Sequence, residues 1–320
     1  MILHEIKKEF TEAINTASDH LNILPVFIEK DYWITKVLME LSKSKYANDI
    51  VFKGGTSLTK AYKLIQRFSE DVDIAVLSVS LMSGNQVKTL IRNVEKDISK
   101  DLKEIEVPGV TSKFSKFRKS VFTYPLTRNF KFSTGISDKL IIEVNSFANP
   151  FPYETLQIKS FITEFLEKTK SDDLIKKYKL EPFNLKVLSK KQTLLEKIVS
   201  LIRFSFDKDV NESLASKIRH FYDIHFLLLD KECSDYIKSD IFKKDLNELI
   251  DHDKQVFDEP EGWNDKDFKK SVLITEFEKV WEGVKSTYVK ELTDLSYAII
   301  PDEVEVKKSF DNVIEIIKKH

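Results

Sequence analysis

Two short stretches of this chain carry residue types suited to phosphoryl chemistry. The first is Gly54-Gly55-Thr56-Ser57, the one place where two of the seven glycines are adjacent. A glycine pair lets the backbone turn sharply, because glycine accepts φ > 0 at little steric cost. A helix opening on such a turn points free N–H groups at whatever sits there, which suits phosphate, and Thr56 and Ser57 add two hydroxyls. An ordinary capped strand-to-helix turn has the same composition, and the spacing of a Walker-type loop is absent. The second stretch is Ser69-Glu70-Asp71-Val72-Asp73. Strand side chains alternate faces, so Asp71 and Asp73 share one side while Glu70 falls opposite and reads as surface. Two carboxylates held close repel each other unless a cation neutralises them, and Mg²⁺ does this while also bridging phosphate oxygens. Aspartate is depleted in strands, so two of them opening one call for a reason.

A third acid would complete a metal site. Glu143 is the candidate, since it interrupts the apolar run Leu140-Ile141-Ile142-Glu143-Val144 and an unpaired buried carboxylate is costly. The plainer alternative is a half-exposed strand with Glu143 in solvent, and Asp138 is a weaker competitor at the preceding turn. The combination points to metal-dependent chemistry on a nucleoside triphosphate.

The elements that must position these groups can be read from periodicity. Helical spacing covers 4–20 and 26–43, with Pro25 at the start of the second, where proline is tolerated. Ile50-Val51-Phe52 reads as a buried strand ending at the glycine pair, Ser57 to Phe68 as a helix, and Asp71 to Leu77 as a strand. A charged helix is expected over Asn85–Asp101. Strands are expected over Lys119–Tyr124, Leu126–Ser133, Lys139–Phe147 and Leu185–Leu188, with Pro150 and Pro152 breaking the pattern between. Ser189 with Gln192 three residues on reads as a capping box. Helices over 190–206, 213–230, 240–252, 266–293 and 303–319 follow. The expected architecture is α+β: a mixed-sheet domain over 1–188, then a mainly helical domain over 189–320.

Bulk properties bound the class. The 320 residues are 42% hydrophobic and 32% charged, the composition of a soluble globular chain of one or two domains. The formal net charge of −1 gives no global signal for nucleic acid. A single cysteine, Cys233, excludes an internal disulfide framework and a Cys-rich zinc site, so a reducing, cytoplasmic home is expected. No apolar stretch has the length of a membrane span, and no signal-peptide core opens the chain.

The run Phe52-Lys53-Gly54-Gly55-Thr56-Ser57-Leu58, followed by Arg67-Phe68-Ser69-Glu70-Asp71-Val72-Asp73, resembles the AbiEii/AbiGii toxin family. Three further anchors stand in the expected order: Glu29-Lys30-Asp31-Tyr32-Trp33, Thr193-Leu194-Leu195-Glu196-Lys197, and Arg219-His220-Phe221-Tyr222-Asp223-Ile224. The resemblance covers roughly residues 25 to 230 and implies a DNA polymerase β-like nucleotidyltransferase fold. It implies a toxin of a bacterial toxin–antitoxin or phage-defence system that transfers NMP from NTP. Carried over residue by residue, Gly54, Gly55, Thr56 and Ser57 match the triphosphate-binding turn, and Ser69 a serine near the acids. Asp71 and Asp73 match the metal-binding pair, for Mg²⁺ or Mn²⁺. Lys197 matches a lysine on nucleotide phosphates, and Asp223 the acid of the last motif. His220 stands where many relatives have an acid. The implied acceptor is RNA, the 3′ end of tRNA foremost, and the implied partner is an antitoxin encoded nearby.

Without the resemblance, Lys197 is one lysine among many. Arg219 and Asp223, four apart on a helix, read as a surface ion pair of about 0.3–0.5 kcal/mol. The segment Lys113-Phe114-Ser115-Lys116-Phe117-Arg118-Lys119 interleaves cations with aromatics, as a nucleic-acid contact or a solvated ribbon would. Two other classes share the motifs: a nucleotidyltransferase for a protein or small molecule, and a non-catalytic NTP-binding protein of the same fold.

Overall fold

The sheet that carries the acids is built around a short buried strand, β1 (Ile50–Lys53). In the computed structural model, which describes residues 1–77, 82–127 and 138–319, the chain forms two compact units, Met1–Leu188 and Ser189–His320. In the first unit β1 pairs antiparallel with β2 (Asp71–Val76). On the β2 side lie, in chain order, β3 (Lys103–Ile105), β4 (Ser112–Lys113), β5 (Phe117–Thr123) and β6 (Lys139–Asn145), with β6 next to β2. On the other side lie β7 (Tyr153–Ile158) and β8 (Phe183–Leu188). The order is β3-β5-β6-β2-β1-β8-β7, with β4 against β5. β6 is parallel to β2 and β8 is parallel to β1, so the sheet is mixed. Together with the helices around it, this makes the first unit α+β, as expected.

Alternation sorts the sheet into two faces. Phe52, Val72, Ile74, Leu140, Ile142 and Val144 lie on one and are fully buried. On that face Glu95 of α4 (Gly84–Ile98) receives hydrogen bonds from Arg118 and Ser120 of β5. Asp71, Asp73 and Glu143 occupy the other face and are half-buried.

Helix α1 (Lys7–Leu21) is amphipathic, burying Phe10, Ile14 and Ala17 at helical spacing. Helix α2 (Pro25–Lys43) differs, because every residue from Val26 to Met39 is buried, charged ones included. Each charge in Glu29-Lys30-Asp31 has a partner in another element. Glu29 accepts from the Thr127 backbone N–H at 2.7 Å and from its hydroxyl at 2.8 Å. Lys30 pairs with Glu70, directly before β2. Asp31 accepts from Lys60 at 2.5 Å and from the backbone N–H of Phe161 at 2.8 Å. Lys60 ends α3 (Gly54–Lys60), the helix that opens on the glycine turn, and Phe161 begins α5 (Phe161–Lys168). The buried charges of α2 thus clamp both stretches of the site. Glu70, read as surface from the sequence, is one of the clamped groups.

Several expectations shift. The helix expected from Ser57 to Phe68 stops at Lys60. The chain then folds back, with Leu64 N–H on the Leu58 carbonyl at 3.0 Å, Thr59 Oγ1 on the Arg67 carbonyl at 3.2 Å, and Lys63 at φ 56°. Ile65 and Phe68 are still buried, but through this fold-back rather than helical period. The short, largely exposed β3 and β7 were not legible, the latter because Pro150 and Pro152 precede it. The strand expected over Leu126–Ser133 runs into 128–137, outside the described residues, and Leu126 and Thr127 are not in a strand.

Helix α6 (Asp172–Lys177) is the last helix of the first unit. The second unit opens with α7 (Lys190–Phe204), capped by Ser189, whose hydroxyl accepts from Lys191 N–H at 3.3 Å. Helices α8 (Val210–Ala215), α9 (Ile218–Leu229), α10 (Lys231–Ile237) and α11 (Asp240–Val256) follow. The single helix expected over 266–293 is divided by capping residues Asp267 and Ser271. It becomes a 3₁₀ turn, α12 (Val272–Thr275) and α13 (Phe277–Leu295). Helix α14 (Glu303–Lys319) closes the unit around Phe221, whose ring meets Phe310 at 4.9 Å and Trp281 at 5.5 Å.

Removing one partner of a buried ion pair leaves an uncompensated charge, which costs about 3–5 kcal/mol. Asp31→Ala is therefore expected to lower the unfolding temperature of the first unit in calorimetry. Asp31→Leu with Lys60→Met should recover most of the loss. A double variant no more stable than the single would contradict the clamp.

Candidate active site

The antiparallel register of β1 and β2 sets Lys53 opposite Asp73, and the parallel register of β2 and β6 sets Asp73 opposite Glu143. Lys119 of β5 faces Glu143 in turn. Lys53, Asp73, Glu143 and Lys119 therefore form one row across four strands on one sheet face, with Asp71 two residues along β2 on the same side. Two carboxylates stand between two ammonium groups. Lys119 Nζ lies 3.9 Å from Glu143 Oε2.

The glycine turn closes over the middle of this row. Gly54 has φ +79°, a conformation that favours glycine. A Cβ added there would sit 2.0 Å from Asp73 Oδ2, so the carboxylate occupies the space a side chain would need. A Cβ on Gly55 would lie 2.7 Å from Arg67 Nη2 and 3.2 Å from Ser69 Oγ. Gly54, Gly55, Ser69, Asp71, Asp73 and Glu143 are thus brought together. The turn reaches Asp73 because Gly54 has no side chain, and it reaches Arg67 and Ser69 because Gly55 has none.

Thr56 and Ser57 have a different place from the one their composition suggests. Both are buried. The Thr56 hydroxyl donates to the Asp71 carbonyl, and Ser57 Oγ donates to the Gly54 carbonyl at 2.8 Å. The first bond ties the turn to β2 and the second closes the turn on itself. With α3 only seven residues long, backbone N–H groups of the turn, rather than a long helix dipole, are what the loop offers an anion.

The charge state of the row follows from its crowding. Burial, then Glu143 and Asp71, hold the Asp73 carboxyl well above the usual carboxylate range, with Lys53 and Lys119 opposing. Burial and Asp71 raise Glu143, while Lys119, Lys53 and a hydrogen bond from Asn145 pull it down. Acids whose proton affinity is raised by each other's charge suit a hard divalent cation with oxygen ligands. Among the described residues no group of three or more acidic, His or Cys side chains is already closed around one point. Mg²⁺ does not need such a cage, since it is commonly held by one or two carboxylates together with substrate phosphates and waters. The donor set fits that mode.

The other candidates lie in the second unit. Lys197 of α7 and Asp223 of α9 form an ion pair of 2.8 Å, their side chains 8% and 0% exposed. The i,i+4 pairing of Arg219 with Asp223 is not what forms, because Arg219 bonds to Glu291. Lys197 is thus oriented by a buried acid and is no surface lysine. Cys233 is buried and its thiol is pushed up to about 12, which fits a structural role.

Sequence reasoning missed Lys53, Lys119 and Arg67 as parts of the site. Their signal was adjacency to the motifs, and only the strand register shows what they face. The basic segment also reads differently now. Lys113 pairs with Glu104 at 2.5 Å, Arg118 with Glu95 at 2.6 Å, and Lys119 faces Glu143, so much of its charge is spent within the protein.

Residues 36–315 match the family described as nucleotidyl transferase AbiEii toxin, type IV toxin–antitoxin system. A stretch of 259 residues is 24% identical to the RecBCD enzyme subunit RecB of Borreliella burgdorferi, covering 74% of this chain and 21% of RecB. This chain therefore spans about a fifth of that curated relative. Among solved structures, the nucleotidyltransferase toxin MenT4 of Mycobacterium tuberculosis H37Rv is 16% identical, with 95% of this chain and 98% of that chain covered and a TM-score of 0.46. No helix among the described residues is long and apolar enough to cross a membrane.

A carboxylate with a raised folded-state pKa binds more protons folded than unfolded. Its contribution to stability therefore falls as pH rises from the ordinary carboxylate value of about 4 through the raised one. Asp73→Asn removes that penalty. In metal-free buffer its unfolding temperature is expected to exceed that of the wild type by a margin that grows from pH 4.5 to pH 8. A margin independent of pH would contradict the crowded-acid geometry. Gly54→Ala is expected to expel Asp73 from its position and lower the unfolding temperature, whereas an unchanged value would contradict the close approach.

Proposed function

Because the chain belongs to the AbiEii nucleotidyltransferase toxin family, we propose that it transfers a nucleoside monophosphate from an NTP to an RNA hydroxyl, releasing pyrophosphate. The acceptor we favour is the 3′ end of tRNA, where an added nucleotide blocks aminoacylation and halts growth. The observation that carries this reading is the Asp73 carboxylate seated against Gly54, on the same sheet face as Asp71 and Glu143.

Phosphoryl transfer of this kind needs positioning and charge neutralisation more than covalent help. Asp71, Asp73 and Glu143 would hold Mg²⁺ or Mn²⁺. A divalent ion bound there supplies charge neutralisation at the phosphates and a lowered pKa for the attacking hydroxyl. The turn at Gly54 and Gly55 cradles phosphate through backbone N–H groups, with Ser69 beside it. Thr56 and Ser57 keep that turn in place. Lys53 stands next to Asp73 at the phosphate end of the row, and Lys119 next to Glu143 at the other. Lys197, fixed by Asp223, is the second unit's candidate for contacting nucleotide phosphate. A type IV toxin–antitoxin family implies an antitoxin, which we place in a neighbouring gene, and both would act in the cytoplasm.

A second reading keeps the chemistry and changes the acceptor to a protein or small molecule. It is favoured by the internal pairing of Lys113 and Arg118 and by the formal net charge of −1, which weaken long-range attraction to RNA.

Incubation with each of the four labelled NTPs, Mg²⁺ and total cell extract, scored separately for RNA and protein, decides between them. Label is expected in small RNA for the wild type and in nothing for Asp71→Asn. Wild-type-like labelling by Asp71→Asn would overturn the metal-site reading, and label confined to protein would favour the second. Lys197→Met is expected to raise KM for NTP at least tenfold, about 1.4 kcal/mol of lost phosphate binding. An unchanged KM would make the Lys197–Asp223 pair purely structural.

A further inference from the structure

We infer that Phe117 and Phe147 form a stacking shelf for the terminal base of a single-stranded RNA acceptor, next to Glu143 on the sheet face that carries the acids. The inference rests on the nucleotidyl-transfer reading above and adds to it the place where the acceptor is held.

The face is fixed by three contacts. Arg118 and Ser120 bond to Glu95 of α4, so the even-numbered residues of β5 face the helix and Phe117 and Lys119 face away from it. Asn145 hydrogen-bonds to Glu143, two residues back on β6, and so lies on the acid face. Phe117 is the cross-strand partner of Asn145. The Phe117 ring therefore stands one row beyond Lys119 and Glu143, roughly 7 Å along the strands. The Phe147 ring lies 5.9 Å from it at 31°, and both residues are half-buried. The hairpin beyond holds Phe114, 69% exposed, and exposed Lys116.

The direction of the reaction says what belongs there. In an in-line displacement the attacking oxygen and the leaving group lie on opposite sides of the phosphorus. The glycine turn, on the β1 side of Asp73, is where the leaving pyrophosphate would be held. The attacking hydroxyl then approaches from the β6–β5 side, where Glu143, Phe117 and Phe147 are. Electrostatics points the same way. Lys113, Arg118 and Lys119 already face carboxylates of the protein, which reduces the charge this segment offers to phosphate. Aromatic faces hold any base without requiring net charge, and they do so for unpaired nucleotides such as a 3′ end.

Steady-state transfer to purified tRNA tests this with Phe117→Leu, Phe117→Tyr and Phe147→Leu. Leucine keeps the volume and removes the π face, while tyrosine keeps it. Both leucine variants are expected to raise KM for tRNA roughly tenfold to a hundredfold, the size of one lost base–aromatic stack. KM for NTP should stay at its wild-type value, and Phe117→Tyr should behave as wild type. An unchanged tRNA KM in both leucine variants overturns the shelf, as does a rise confined to the NTP KM, which would assign the rings to the incoming nucleotide. A wild-type enzyme that labels no RNA defeats the functional reading itself, and the shelf with it. A wild type that labels RNA with indifferent leucine variants defeats the shelf alone.

Discussion

Like charges are the constraint on which this structure depends. Asp73 and Glu143 are placed opposite each other by the parallel register of β2 and β6, and Asp71 follows two residues along. Acids arranged this way cost stability, since crowding and burial raise their proton affinity. A fold keeps such an arrangement where a cation supplied from solution relieves it. The lysines at the two ends of the row relieve it only in part, and Lys119 does so at 3.9 Å.

Much of the surrounding architecture exists to hold the row and the glycine turn together. The buried charges of α2 reach the end of α3 through Lys60 and the start of β2 through Glu70. The Thr56 and Ser57 hydroxyls tie the turn to Asp71 and to itself. Such bonds are strong inside a low-dielectric interior and expensive to leave half-made, so they fix geometry well. Gly54 then allows backbone and the Asp73 carboxylate to approach more closely than any side chain would permit, and Gly55 does the same toward Arg67 and Ser69. The second unit repeats the device in a smaller form, with buried Asp223 holding Lys197.

The local part of this arrangement was legible in the sequence. Alternation alone puts Asp71 and Asp73 on one side, and the adjacent glycines mark the turn. Glu143 shows itself by interrupting an apolar run. What sequence could not provide was long-range register: nothing local says that Asp73 meets Glu143, or that Lys53 and Lys119 flank them. The destination of hydroxyls was equally hidden, since Thr56 and Ser57 look like ligand donors and are spent on the backbone. The helix after the turn was overextended because Ile65 and Phe68 fit a helical period yet are buried by a fold-back at Lys63. Glu70 was misread because its partner, Lys30, lies on an element forty residues earlier. The α+β class and the mixed sheet survived these errors, because they rest on strand and helix patterning rather than on individual partners.

The most direct measurement is a Mn²⁺ titration by electron paramagnetic resonance, with and without a non-hydrolysable NTP analogue, on the wild type and Glu143→Gln. The analogue is expected to tighten Mn²⁺ binding by the wild type, and Glu143→Gln to weaken binding of the pair, while the unfolding temperature does not fall. Equal affinity in the two proteins, or no effect of the analogue on Mn²⁺ binding, would contradict a shared cation between these acids and the triphosphate.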